Sequence, residues 1–311
     1  MFLSIVIPVY NEQDNIAPLC RSIFETIRTL GKEYEVIFVD DGSTDDTLEE
    51  LLSIKKKYDY VKIISFRRNF GQTASLAAGF DHAQGDIIVA MDGDLQNDPS
   101  DIPKLLEGVD KGYDIVSGWR ADRKDELILR KIPSVTANWM ISKITGVKLH
   151  DYGCTLKAYR AHVIKSLKIY GEMHRFIPAL ASWNGAKIFE MPVKHNPRKF
   201  GKSKYGIWRT FRVLLDLLTV KFMLNFITKP LHMLGFWGLF FLSSGFGYGI
   251  YLLVQRIFFD AYIKPLRPLI VVLFIISGIQ LITIGLVAEI NIRTYFESQK
   301  KTVYTINKIY T

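Results

Sequence analysis

The chain has 311 residues, 49% of them hydrophobic and 13% aromatic, with 40 Lys and Arg against 31 Asp and Glu for a formal net charge of +9. Its two cysteines, Cys20 and Cys154, exclude a disulfide framework and fit a reducing compartment. A basic chain can suit nucleic acid, but no nucleic-acid motif accompanies these charges, so no nucleic-acid partner is expected.

In chain order, Met1 to Pro8 has no basic leader and a short apolar run that ends in Pro, so it does not read as a secretory signal and the N-terminal domain is expected in the cytosol. Apolar runs follow at Leu3–Val9, Glu35–Val39, Val61–Phe66, Asp86–Met91 and Asp114–Ser117, with amphipathic stretches between them. That alternation predicts an α/β fold with a mainly parallel sheet and crossover helices. Asn11 or Asp14 can cap the first helix, and Ser43-Thr44-Asp45 can open the second. In open parallel sheets ligands bind beyond the carboxyl ends of the strands, where Tyr10-Asn11-Glu12, Asp40-Asp41-Gly42-Ser43 and Asp92-Gly93-Asp94 all fall. Asp92 and Asp94, one residue apart on extended chain, project to the same side, and a cation relieves their repulsion.

Beyond Pro133 the pattern changes to Trp139-Met140-Ile141 and Ile144, an apolar helix that suits either the membrane surface or the core. Ile207 to Asn225 is amphipathic, with Arg209, Arg212, Asp216 and Thr219 on one face, and is expected to lie flat in the interface. Leu231–Val254 and Pro268–Ala288 hold no Asp, Glu, Lys or Arg, and each is long enough to cross a hydrocarbon core of roughly 30 Å. Before them stand Arg198, Lys199, Lys202, Lys204, Arg209, Arg212, Lys221 and Lys229 against Asp216 alone, a positive-inside pattern on anionic lipid. Arg293, Lys300, Lys301 and Lys308 put the tail on the same side, although Arg256, Lys264 and Arg267 in the intervening loop blur the bias. The expected organisation is a cytosolic domain at 1–205, a juxtamembrane helix at 206–229, two spans at 230–290 and a cytosolic tail at 291–311. The tail from Thr302 alternates apolar and polar residues and is expected to pair as an edge strand between protomers.

Three ordered segments, Ile5-Val6-Ile7-Pro8-Val9-Tyr10-Asn11-Glu12, Val39-Asp40-Asp41-Gly42-Ser43-Thr44-Asp45 and Met91-Asp92-Gly93-Asp94-Leu95-Gln96-Asn97-Asp98-Pro99, resemble the family 2 glycosyltransferases of the GT-A fold. Within them the chain is similar to the polyprenyl-phosphate glycosyltransferases, such as bactoprenol glucosyltransferases and dolichyl-phosphate mannose synthases. The two spans and Arg293-Thr294-Tyr295-Phe296-Glu297 extend the likeness to nearly the whole chain, and to the bacterial branch. The resemblance implies Mg²⁺ or Mn²⁺ held by Asp92 and Asp94 with Gln96, and a donor pocket of Pro8, Tyr10, Glu12, Asp41 and Gly93. It implies phosphate contacts from Arg120, Arg198 and Lys204, and places Asp151, in His150-Asp151-Tyr152-Gly153-Cys154-Thr155-Leu156-Lys157, at the position usually proposed as catalytic base. A polyprenyl monophosphate is already anionic near neutrality, its second pKa being about 6, so Asp151 has three open roles: removing the residual proton, orienting the acceptor, or stabilising the transition state. His150 reads as a surface or packing residue and Cys154 as a packing residue.

The implied reaction is inverting transfer of one sugar from a nucleotide sugar to undecaprenyl phosphate on the cytosolic face of a bacterial inner membrane. UDP-glucose is the first expectation, followed by UDP-linked amino sugars and GDP-mannose. Relatives of this kind form tetramers, so a homo-oligomer is expected. Two other readings differ in product. A processive polysaccharide synthase shares Asp-x-Asp, but the chain has no Gln-x-x-Arg-Trp and two spans are few for a polymer channel. A non-catalytic membrane scaffold would need a decayed site, whereas Asp92, Asp94, Gln96, Arg120 and Asp151 are all present.

Overall fold

Six of the seven residues of β1 (Leu3–Val9) are buried, so this strand has no solvent face and its apolar run is nearly unbroken. The computed structural model describes residues 2–121, 142, 146–169, 173–197, 230–259, 264–298 and 304–311. The chain divides into two units, Met1–Lys221 with Thr302–Thr311, and Phe222–Lys301.

In the first unit β1 pairs in parallel with β2 (Tyr34–Asp40) and β4 (Ile87–Ala90), and β2 pairs in parallel with β3 (Val61–Phe66). Helices α1 (Gln13–Arg28), α2 (Thr47–Lys55) and α3 (Gln72–His82) make the crossovers between them. α1 buries Ile16, Leu19, Cys20, Ile23 and Ile27, the three-and-four spacing of one helical face. On α3, Gly79 lets the helix approach β1 so closely that an added Cβ would overlap the Val6 side chain. Beyond β4 come α4 (Ile102–Asp110), β5 (Ile115–Trp119), β6 (Lys157–Arg160), α5 (Ala161–Ser166), α6 (Ile177–Trp183) and β7 (Ile188–Pro192).

The described strands form one sheet in the order β7-β5-β6-β4-β1-β2-β3-β8, the last being Ile306–Tyr310. The expected mainly parallel α/β sheet is observed, with two antiparallel insertions. β6 runs antiparallel between β4 and β5, and β8 runs antiparallel along β3. The C-terminal tail is therefore no separate segment. It forms an antiparallel edge strand on β3, so the strand that the alternation suggested is present.

At the amino ends of the strands, opposite the carboxyl-end loops, Ser4 Oγ donates to Glu35 Oε1 at 2.6 Å and accepts from Gly85 N at 2.8 Å. Gln84 N donates to the same Glu35 oxygen at 2.6 Å, and Lys62 Nζ lies 2.6 Å from Glu35 Oε2. Glu35 is buried and gathers three donors, so its loss strands Ser4 and Gln84 as well as Lys62. Glu35→Ala should cost about 2 kcal/mol and lower the thermal unfolding midpoint of the solubilised protein, while nucleotide affinity of the folded fraction stays unchanged. An unaltered midpoint would show that the cluster is not a stabilising one.

The second unit contains α7 (Pro230–Phe259) and α8 (Leu266–Ser298). Leu234–Phe259, with mean hydropathy 1.4, and Leu266–Ala288, at 2.7, are each long and apolar enough to cross a membrane. Large apolar side chains such as Phe240, Ile257, Phe258 and Leu273 stand exposed on them, as lipid-facing residues do. The pair meets at small residues: a Cβ on Gly278 would lie 2.8 Å from the Gly238 carbonyl oxygen, and one on Gly238 would lie 2.9 Å from that of Gly278. The expected interfacial helix at 206–229 and the apolar segment around Trp139 and Ile144 lie outside the described residues.

Candidate active site

The loops after β1 and β2 are built on one another. Asn11, at φ 50°, accepts from Thr44 N through Oδ1 at 2.8 Å and donates its own amide to Ser43 Oγ at 3.0 Å. Instead of capping α1, its side chain therefore joins the second loop. Glu12 N donates to Thr47 Oγ1 at 2.9 Å, and the Glu12 carboxylate accepts from Asn15 Nδ2. Pro8 and Tyr10 are half-buried beside them. Asp40 accepts from Ser43 N at 3.0 Å and Ser65 Oγ at 3.2 Å, which leaves Asp41 as the acid turned to the next loop.

Asp41 is only 4% exposed, and its two oxygens accept from Phe70 N at 2.7 Å and Gly71 N at 2.9 Å. Burial pushes its carboxyl up to about 6, against those two amides, and the neighbouring charge of Asp40 adds to the rise. Gly42, at φ +68°, passes so close to this loop that a Cβ would stand 2.5 Å from the Arg68 carbonyl carbon, so only glycine serves there. Asp41 thus carries the loop that precedes α3.

The same loop reaches the metal candidates. Gln72, the first residue of α3, donates from Nε2 to Asp92 Oδ1 at 2.7 Å, and the Thr155 hydroxyl also hydrogen-bonds Asp92. Burial, and then the Asp94 carboxylate, push Asp92 above the ordinary carboxylate range. Asp94, 8% exposed, accepts from Gln96 N at 3.1 Å across Leu95, which sits at φ 62°. Gly93 between the two acids lies against β1, where a Cβ would be 2.7 Å from Val9 Cγ1 and 3.3 Å from the Pro8 oxygen. The chain from Val193 to Pro197 runs beside this turn, with Asn196 N donating to Gln96 O at 2.9 Å. Arg198 and Lys204, just beyond, lie outside the described residues.

Arg120 and Asp151 form a bidentate pair, Nε to Oδ2 at 2.6 Å and Nη2 to Oδ1 at 3.0 Å. Gly153 N adds a bond to Asp151 Oδ1 at 3.0 Å. Glu190 of β7 holds the segment from outside, accepting from His150 N at 2.9 Å, from Asp151 N at 3.0 Å and through a 2.8 Å contact with His150 Nδ1. His150 itself is exposed and stacks on Trp119 with ring centroids 4.3 Å apart. Beneath the loop Lys157 is 2% exposed, and its ammonium donates to the carbonyls of Cys154 and Tyr152. Burial pulls Lys157 below its ordinary value, opposed by Cys154, Asp151 and Asp92. In register it faces Ala90 of β4 and Ser117 of β5, so one cation lies between the strands that deliver Asp92 and Arg120.

Sequence reasoning missed Gln72, Thr155, Lys157 and Glu190; of these only Thr155 and Lys157 lie in a segment already marked by Asp151. Among the described residues no cluster of three or more His, Cys, Asp or Glu side chains is poised to hold a metal. Two adjacent carboxylates still fit a hard divalent cation, since Mg²⁺ is usually bound by one or two carboxylates and completed by substrate phosphates.

Residues 4–167 match glycosyl transferase family 2. The chain belongs to that family. This glycosyltransferase is 44% identical to the dodecaprenyl-phosphate galacturonate synthase of Rhizobium johnstonii, over 99% of this chain and 93% of that protein. It is 38% identical to the undecaprenyl-phosphate 4-deoxy-4-formamido-L-arabinose transferase of Klebsiella pneumoniae, again over 99% of this chain and 93% of the relative. Its fold resembles the Mycobacterium tuberculosis glucosyl-3-phosphoglycerate synthase crystallised with Mn²⁺, uridine diphosphate and phosphoglyceric acid, with a TM-score of 0.57 at 18% identity, covering 71% of this chain and 78% of that one. The GT-A expectation therefore holds for the fold. The expectation of glucose as donor sugar does not survive the relatives, whose sugars are galacturonate and a formamido-arabinose.

Proposed function

We propose that this glycosyltransferase moves one sugar from a nucleoside-diphosphate donor to a polyprenyl phosphate, and that the sugar is of the uronic acid or 4-amino-4-deoxy-pentose class. The observation that carries the reading is near full-length similarity to two polyprenyl-phosphate transferases, on a chain whose Asp92 and Asp94 stand beside the Arg120–Asp151 pair.

Mg²⁺ or Mn²⁺ held by Asp92 and Asp94, with Gln96 near, would neutralise the charge that builds on the departing nucleotide. Gln72 and Thr155 fix the Asp92 carboxylate, while Asp41, Pro8, Tyr10, Glu12 and Gly93 line the donor pocket. Arg198 and Lys204 follow Pro197 in sequence and supply phosphate contacts. The acceptor phosphate oxygen attacks the anomeric carbon opposite the leaving group, the nucleoside diphosphate departs, and the configuration inverts without a covalent glycosyl-enzyme. Asp151 orients the acceptor in this scheme, because its two oxygens already accept from Arg120 Nε, Nη2 and N and from Gly153 N, filling their four acceptor sites, and a proton would have to displace one of these contacts. A guanidinium carries five N–H groups, so Arg120 can hold Asp151 and a phosphate oxygen together. α7 and α8 anchor the enzyme in the bilayer that holds the acceptor's chain, with the catalytic unit and both termini at the cytosolic face of a bacterial inner membrane and the protein assembled as a homo-oligomer.

The test offers the purified protein Mn²⁺, undecaprenyl phosphate and a panel of radiolabelled nucleotide sugars, and reads label extracted into chloroform. UDP-galacturonate or a UDP-4-amino-4-deoxy-pentose derivative should label the lipid phase. Label in a water-insoluble polymer would assign a processive synthase, and absence of label with every donor would overturn the reading.

A further inference from the structure

The C-terminal strand closes a series of contacts that ends in the proposed donor pocket. Tyr304 is 7% exposed, its hydroxyl donates to Asp81 Oδ2 on α3 at 2.8 Å, and its ring stacks on Phe66 with centroids 5.3 Å apart and planes 12° from parallel. Phe66 ends β3 at a register slip against β8 and meets Phe70 edge-on at 5.7 Å. Arg67 N donates to Thr305 O at 3.3 Å, and the Arg68 guanidinium carbon lies 4.4 Å from the Phe70 ring centroid. Phe70 and Gly71 then give their amides to Asp41, and Gln72 gives its side-chain amide to Asp92.

Residues 66–72 are thus fastened by β8 at one end and touch Asp41 and Asp92 at the other. Gly71 sits at φ +95°, a conformation open mainly to glycine, so the loop turns there without help from a side chain of its own. Packing of the Phe66, Phe70 and Tyr304 rings joins the two Asp41 hydrogen bonds in supplying the order that the turn does not.

We propose that Tyr304 is a positioning residue for the donor nucleotide, holding the loop between β3 and α3 so that Asp41 and Gln72 stand in place before the nucleotide arrives. The proposal rests on the donor-site reading above. It gives the last strand of the chain a role in donor affinity, beyond covering the edge of β3. Ordering this loop in advance lowers the entropy cost of binding, and Asp92 keeps its bond from Thr155 when the loop loosens, so the effect falls mainly on donor affinity.

The full-length solubilised protein is titrated calorimetrically with UDP, and separately with GDP, in the presence of Mn²⁺, and initial rates are measured against donor and acceptor concentration. Tyr304→Ala and Tyr304→Leu should weaken nucleotide binding and raise the donor KM about tenfold, with kcat and the acceptor KM within about twofold of wild type. Tyr304→Phe, which keeps the ring, should bind nucleotide within about twofold of wild type. Unchanged nucleotide affinity in the Ala and Leu variants would overturn the proposal. So would a joint fall in kcat and both affinities, or loss of folded protein in both variants, since each assigns the ring to structure alone. A wild-type protein that binds neither nucleotide would instead overturn the donor-site reading itself.

Discussion

Asp94→Asn should reduce turnover by about a thousandfold, and Asp92→Asn should do the same, because each replaces a carboxylate by an amide of equal shape at the position proposed to neutralise the donor diphosphate through a metal. The two acids lie one residue apart at the end of β4, with Gly93 set against Val9 and Pro8 so that the turn cannot shift. Burial and mutual repulsion push Asp92 above the ordinary carboxylate range, which is the state a divalent cation relieves. Protons compete with metal for such a group, so apparent metal affinity should fall on acidification sooner than it would for an ordinary exposed carboxylate pair. Titration with Mn²⁺ checks both statements: the variants should need far more metal or show no saturable response. Full activity of Asp94→Asn without metal dependence would remove the metal assignment.

The second large effect belongs to the Arg120–Asp151 pair. Asp151→Asn leaves a guanidinium, 15% exposed on its side chain, without its carboxylate, at a cost of about 3 kcal/mol in stability. It should also lower kcat by about a hundredfold while UDP affinity stays near wild type, since the pair faces the acceptor in the proposed scheme. Arg120→Lys should not preserve activity, because an ammonium cannot reproduce the two parallel bonds at 2.6 and 3.0 Å. Measurement of kcat and of UDP affinity in both variants decides the matter. Equal losses of UDP binding and turnover would place the pair on the donor instead.

Much of the sheet was legible because β1 to β5 are almost wholly buried and therefore read as unbroken apolar runs, as strands covered on both faces do. β6 was not legible, since Lys157-Ala158-Tyr159-Arg160 begins and ends on a cation. Its lysine is buried because Tyr152 and Cys154 turn their carbonyls onto it, and no propensity records that arrangement. β7 is half-exposed along its length and offers no clear apolar face. Asp92 and Asp94 announced themselves by following an apolar run. Gln72 looked like any polar residue at a helix start until α3 brought it within 2.7 Å of Asp92. Glu190 and His150 meet only because β7 lies beside β5, a pairing between residues 40 apart in sequence.

In the proposed reaction a single sugar passes to a lipid phosphate with release of nucleoside diphosphate. The most direct measurement is mass spectrometry of both products from one reaction of the wild-type protein with undecaprenyl phosphate and its preferred nucleotide sugar. The predicted result is a lipid carrying one sugar and one phosphorus atom, with nucleoside diphosphate in equal amount. A lipid carrying two phosphorus atoms with nucleoside monophosphate, or a polymer with no lipid-linked monosaccharide, would contradict it.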